Sequence, residues 1–182
     1  LLRQMDDEQD EPPEPDVPMA APPRGPFVKY VSIISLFAGT DSARMGLERY
    51  LYDHGLLLSL VACVAIEKSP LVLRELRDFW APANRQYANT PEPIIVQDVL
   101  DWLLQKASPL REFLKKLPQG TVLIVAAGSP CQDFNALAAG QGKLGFHGPR
   151  SILVFCVALY LWVISLTRPD VQLVPILENG GG

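Results

Sequence analysis

Five short apolar runs divide the chain, and a stretch of different rhythm follows each of the first four. "KYVSIISLFAG", "LLSLVACVAIE", "PIIVQDV", "TVLIVAAG" and "VQLVPILEN" are mostly continuous in hydrophobicity rather than alternating. A strand of that kind has no face for water, so it must be covered on both sides. The intervening segments supply the cover. "DSARMGLERYLYDHG" has helical spacing, with Met45, Leu47, Tyr50 and Leu51 grouped on one side and Gly55 as its stop. "SPLVLRELRDFW" opens with Ser69 and Pro70, a cap followed by a first-turn proline, and reads as a helix. "LDWLLQKASPLREFLKKL" reads as helix interrupted around Pro109, and residues 150–167 as one long apolar helix. Strands alternating with helices in this way predict an α/β fold, a mostly parallel sheet with helices on both faces.

The length of 182 residues suits a single domain. Residues 1–26 stand apart, because acids and prolines crowd there with few large apolar groups. Such a segment cannot bury enough surface to offset its ordering entropy, and it is expected to be a disordered leader. Its seven acids against Arg3 and Arg24 give it a charge of −5, so the whole-chain charge of −4 leaves the remainder at +1. A near-neutral body offers no electrostatic footprint for nucleic acid, although it does not exclude one. The domain is expected over 27–179, with Gly180–Gly182 as a glycine tail. Leu1 and the final "ENGGG" both read as cut ends.

Cys63, Cys131 and Cys156 lie in or beside apolar segments without metal-ligand spacing, which favours neither a disulfide framework nor a zinc site. A reducing, intracellular compartment is expected, and no secretory signal is visible. The run "ILVFCVALYLWVISL" has 15 residues, short of the roughly 20 needed to span a bilayer. It reads as a buried core helix with no membrane role. His54 and His147 have no metal-ligand spacing and no assigned part, and no metal is expected.

In a parallel sheet, ligands gather at the carboxyl ends of the strands. Gly39, Glu67, Asp98, Cys131 and Glu178 each fall at or just past such an end. "SLFAGTDSARMGL" has the strand–turn–helix layout that brings backbone N–H groups to a nucleotide, or it is a turn without ligand. Glu67 suits a pair of ribose hydroxyls and Asp98 an adenine amino group, and both equally suit solvated strand ends. Cys131, fixed by Pro130 and preceded by Gly128, is a nucleophile at a rim or an inert buried thiol. Cys63 and Cys156 fall mid-strand and mid-helix and read as inert.

"LFAG" before a helix, "GSPCQDF" with "GQGKLGFHGPRS" after it, and "LEN" closing the next strand resemble, in order and spacing, the motifs of the cytosine-C5 DNA methyltransferases. The likeness runs from about Val31 to Asn179. It implies a Rossmann-like S-adenosylmethionine-dependent methyltransferase fold and a partner, DNA, whose target base is flipped out of the duplex. By that resemblance Cys131 is the thiolate that adds to C6 of cytosine, and Glu178 holds the ring at N3. Phe37, Ala38, Gly39, Thr40 and Pro130 match the cofactor-binding turns, Glu67 the ribose acceptor and Asp98 the adenine contact. Gln132, Phe134, Gly142, Gly145, Arg150 and Ser151 match the substrate loop, with Gly140–Gly148 as its mobile part. A eukaryotic source would imply the nucleus.

The chain departs from the family pattern at several positions. Asp41 and Ser42 stand where the family usually carries glycines, and Ser35 where it carries an acid. A carboxylate at 41, near the cofactor's own carboxylate, is expected to weaken binding. Asn135 replaces a serine, and Gly180 an apolar residue. The family's later arginine motif, target-recognition region and closing strands have no counterpart here, so the fragment by itself is expected to be inactive. Three other readings remain: a methyltransferase of cytosine in RNA, a non-catalytic methyltransferase-like scaffold, and a plain nucleotide-binding α/β domain of another chemistry.

Overall fold

The computed structural model describes residues 29–39, 41–104, 108–128 and 152–178. Strands β1 (Val31–Leu36), β2 (Leu60–Ile66), β3 (Ile94–Val96), β4 (Val122–Gly128) and β5 (Gln172–Glu178) form one sheet in the order β3-β2-β1-β4-β5. Every neighbouring pair is parallel. Helices α1 (Ser42–Asp53), α2 (Pro70–Phe79), α3 (Val99–Leu104), α4 (Pro109–Lys116) and α5 (Ile152–Thr167) connect or cover the strands. The α/β architecture with cover on both faces is as the apolar runs require. On one face Ile33 and Cys63 meet Leu51 of α1, and Ala65 meets Leu76 and Trp80 at α2. On the other, Ile34, Leu36, Val64, Leu123 and Val125 pack against Trp102, Leu114, Tyr160 and Ile164 of α3, α4 and α5. Tyr160 is fully buried there and donates its hydroxyl to the Val99 carbonyl at 2.7 Å.

Local chemistry sets the helix boundaries. Ser69 caps α2 by accepting from the Val72 amide at 3.5 Å, with Pro70 in the first turn, and Ser108 with Pro109 starts α4 in the same way. The break expected at Pro109 is therefore real, since proline cannot donate in a continuing helix. Leu57–Ser59, expected as the start of the second strand, is instead a short 3-10 turn.

Two helices differ from expectation in the face they bury. In α1 the buried residues are Arg44, Glu48 and Leu51, while Met45 and Tyr50 are exposed. The apolar grouping gave way to an i, i+4 ion pair whose arginine finds further partners across the fold. Its Nε donates to Glu48 Oε1 at 2.7 Å, its Nη2 to the Pro91 carbonyl at 3.0 Å, and its guanidinium lies 3.7 Å from the Trp80 ring centre. Those contacts offset part of the desolvation that an isolated charge would not survive, and Nη1 is left buried without a partner. Helix α5 is not wholly buried as expected. Cys156, Val157, Tyr160 and Ile164 face the core, but Phe155, Trp162 and Leu166 are exposed. No described helix is long and apolar enough to cross a membrane. Strand β5 lies at the sheet edge, with Ile176 and Leu177 exposed.

Candidate functional site

Parallel pairing puts the carboxyl ends of all five strands on one rim. Beyond β1 the backbone turns sharply, with positive φ at Phe37 (59°), Gly39 (52°) and Asp41 (58°). Phe37 and Asp41 hold a left-handed conformation that L side chains resist, so the surrounding contacts must enforce it. Several of these contacts are visible. The Ala38 amide donates to the Ile66 carbonyl at 2.9 Å, and the Asp41 amide to the Ala38 carbonyl at 2.6 Å. The Gly39 amide donates to Glu67 Oε2 at 3.1 Å.

Glu67 therefore joins two loops. Its other oxygen, Oε1, accepts from the Ser69 amide at 2.8 Å, so one carboxylate ties the turn after β1 to the start of α2. Its backbone is held in turn by the Val96 carbonyl of β3 at 3.0 Å. Asp98 follows β3 and holds the entry of α3, with Oδ1 accepting from the Leu100 and Asp101 amides at 2.7 and 3.2 Å. It also lines a cavity of about 590 Å3 together with Lys68, Gln97, Asp101, Trp102 and Pro109.

The strand order supplies a second concavity. Connections run outward from β1 to β2 and β3, then return to place β4 on the other side of β1. At such a switch point the neighbouring loops diverge and leave a crevice. A cavity of about 110 Å3 lies there, lined by Ser35, Phe37 and Ala38 after β1, Ser42 and Ala43 of α1, Ala127 and Gly128 of β4, and Ile176. The last backbone pair of β4 and β5 is Gly128 with Glu178, so Glu178 closes its strand beside this crevice.

Asp41 precedes α1, next to the crevice-lining Ser42. It is 1% exposed, and burial pushes its pKa up to about 6 despite the nearby Ser35 hydroxyl and Arg44 guanidinium. The sequence suggested a carboxylate here that would weaken binding by lying near the cofactor's own, and the structure shows it buried. Cys63 is also buried, and desolvation raises its thiol to about 12, in keeping with an inert role. Burial likewise raises the Cys156 thiol. The exposed His54 ring stacks on Tyr50 and bonds through Nδ1 to the Tyr50 carbonyl at 2.8 Å.

Of the residues expected at the site, the fold brings Phe37, Ala38, Gly39, Glu67, Asp98 and the backbone of Glu178 to one rim. Thr40, Pro130, Cys131, Gln132, Phe134, Gly142, Gly145, Arg150 and Ser151 lie outside the described residues, as do the leader 1–26, the segment Gly140–Gly148 and the glycine tail. The Arg44–Glu48 pair that supports α1 beneath the rim was missed, although its i, i+4 spacing was a usable signal. Among the described residues, no three His, Cys, Asp or Glu side chains gather as a metal site. Compared with known proteins, the chain matches no family model, no curated protein and no solved structure.

Proposed function

We propose that this chain carries part of the catalytic machinery of a cytosine-C5 DNA methyltransferase that uses S-adenosylmethionine. The observation that supports it most is the sequence of features along the rim. The small crevice lies between β1 and β4, Glu67 follows β2, and the larger cavity with Asp98 follows β3. That layout fits an elongated ligand with an amino-acid end, a ribose and a purine. Glu67 already accepts one N–H on each oxygen, and its remaining lone pairs suit the ribose hydroxyls. At Asp98 both backbone bonds fall on Oδ1, leaving Oδ2 to accept from an exocyclic amine.

When bound, S-adenosylmethionine supplies an electrophilic methyl group. The chain's own residues make the ring reactive. The thiolate of Cys131 adds to C6 of cytosine, breaking the C5–C6 double bond and placing the electron pair toward C5 and N3. Glu178, as a carboxylic acid, hydrogen-bonds N3 and stabilises the developing negative charge. After methylation, loss of the C5 proton to a base expels the Cys131 thiolate and restores the double bond.

Covalent trapping tests this reading. The full-length protein is mixed with S-adenosylmethionine and a 5-fluorocytosine DNA duplex, beside an RNA counterpart and a Cys131→Ser control. Fluorine at C5 blocks the final elimination, so a DNA adduct that needs the cofactor and disappears with Cys131→Ser is expected. Trapping on RNA alone would transfer the reading to RNA, and no adduct from folded, DNA-binding protein would overturn it.

A further inference from the structure

Helix α5, Ile152–Thr167, contains no charged side chain. One side of it packs on the core through Cys156, Val157, Tyr160 and Ile164. The opposite side presents Phe155, Ala158, Trp162 and Ser165, all exposed, and no described element covers them. Those four positions are spaced by three, four and three residues, the rhythm by which two helices pair along a common seam. Phe155 and Trp162 are each 61% exposed, and Leu166 beside them is 65% exposed. Together these three side chains show roughly 400 Å2 of apolar surface, which is large for a patch facing water. A standard interface takes about 800 Å2 from each partner, so the stripe has the size of an interface centre.

We propose that this stripe is the seat of a second copy of the chain, whose own α5 lies across it antiparallel about a two-fold axis. Self-complementarity decides both the partner and the direction. A two-fold contact must match its own surface, so a large residue needs a small one at the symmetry-related position. With the axis beside Tyr160, antiparallel pairing sets Phe155 opposite the partner's Ser165, and Ala158 opposite the partner's Trp162. Each ring then meets a small side chain, knob against hole. Parallel pairing would instead stack Phe155 on Phe155 and Trp162 on Trp162, leaving gaps at Ala158 and Ser165. Burying Ser165 adds no unmet donor, because its hydroxyl already donates to the Leu161 carbonyl at 2.8 Å. No like charges meet, since the helix carries none. As the crossover between parallel β4 and β5, α5 runs back from the rim to the far end of the sheet. The two rims of the dimer therefore open at opposite ends, and each copy keeps its own site whatever reaction the rim performs.

Sedimentation of the full-length protein over a range of concentrations tests the pairing. Wild type should show a monomer–dimer equilibrium with a dissociation constant on the order of 10 µM, the weak end expected of a small interface. Trp162→Ala removes the knob and should weaken the dimer about tenfold or more. Ala158→Trp adds apolar surface, yet it should also weaken the dimer about tenfold or more, because the partner's Trp162 loses its hole. Carrying both changes exchanges knob and hole, so the double variant should recover to within about threefold of wild type. Both positions face solvent, so the variants keep the fold, which unchanged thermal unfolding checks. Tighter association with Ala158→Trp, or no recovery in the double variant, would overturn the knob-and-hole register. A wild type that stays monomeric to about 300 µM, or a dimer indifferent to all three variants, would overturn the α5 contact itself.

Discussion

Two carboxylates lie out of water on α1, one just before its first residue and one at its middle, and they are treated in opposite ways. Glu48 is locked to Arg44, whose guanidinium also reaches Pro91 and stacks on Trp80. Asp41, just before the helix, has no hydrogen bond on either oxygen. The first is an ion pair that ties α1 to the segment after α2, although Arg44 Nη1 is buried without a partner. The second is a cost to stability just before the helix. Burial of a charge therefore has two outcomes on one short stretch of chain: a bonded pair that ties elements together, and an acid that costs stability for want of donors.

The comparison breaks most visibly at Arg44. Arg44→Ala leaves Glu48 buried without its counter-charge, and urea unfolding should show a loss of about 3–5 kcal/mol. Replacing both partners, Arg44→Met with Glu48→Leu, should recover much of that loss, since a buried pair exchanged for apolar groups of similar volume is often neutral.

Asp41 should respond in the opposite sense. Its folded pKa of about 6 exceeds the ordinary 3.8, so between these values the native state binds more protons than the unfolded one and stability falls as pH rises. Above that window the ionised carboxylate costs up to roughly 3 kcal/mol. Asp41→Asn should then stabilise the protein by about 1–3 kcal/mol at neutral pH, the amide itself needing partners. The gain should vanish below about pH 4. Urea titrations at both ends of the window check the sign, and a destabilised variant at neutral pH would show that Asp41 is structural.

Glu67 lies between the two cases, because its bonds are made but to loop amides at the rim. Glu67→Ala removes the acceptor of Gly39 and Ser69 and should cost about 1–2 kcal/mol. The sharper signature is local: hydrogen exchange at those two amides should accelerate more than in the sheet. Uniform acceleration across β1 and β2 would show that Glu67 supports the core instead of the turn.

Much of the architecture was legible because its causes are local. Continuous apolar runs demand cover on both faces, and Ser69 with Pro70 starts a helix whatever packs above it. The rim positions of Glu67 and Asp98 were legible for the same reason, since a polar residue following a buried strand has to emerge at its end. The orientation of α1 was not. Hydrophobic spacing favoured Met45 and Tyr50 for the buried side, but Arg44 and Glu48 took it because Pro91 and Trp80 arrive from distant sequence to meet the arginine.

The sequence by itself determined the alternation of strands and helices, the parallel character of the sheet and which polar residues follow the strand ends. Only the tertiary structure decided that β4 returns beside β1, that a crevice opens between them, and that Asp41 is buried before α1. The physical reason is that periodicity reports how polar a residue is, whereas the energy of a buried charge depends on which groups meet it, and those come from elsewhere in the chain.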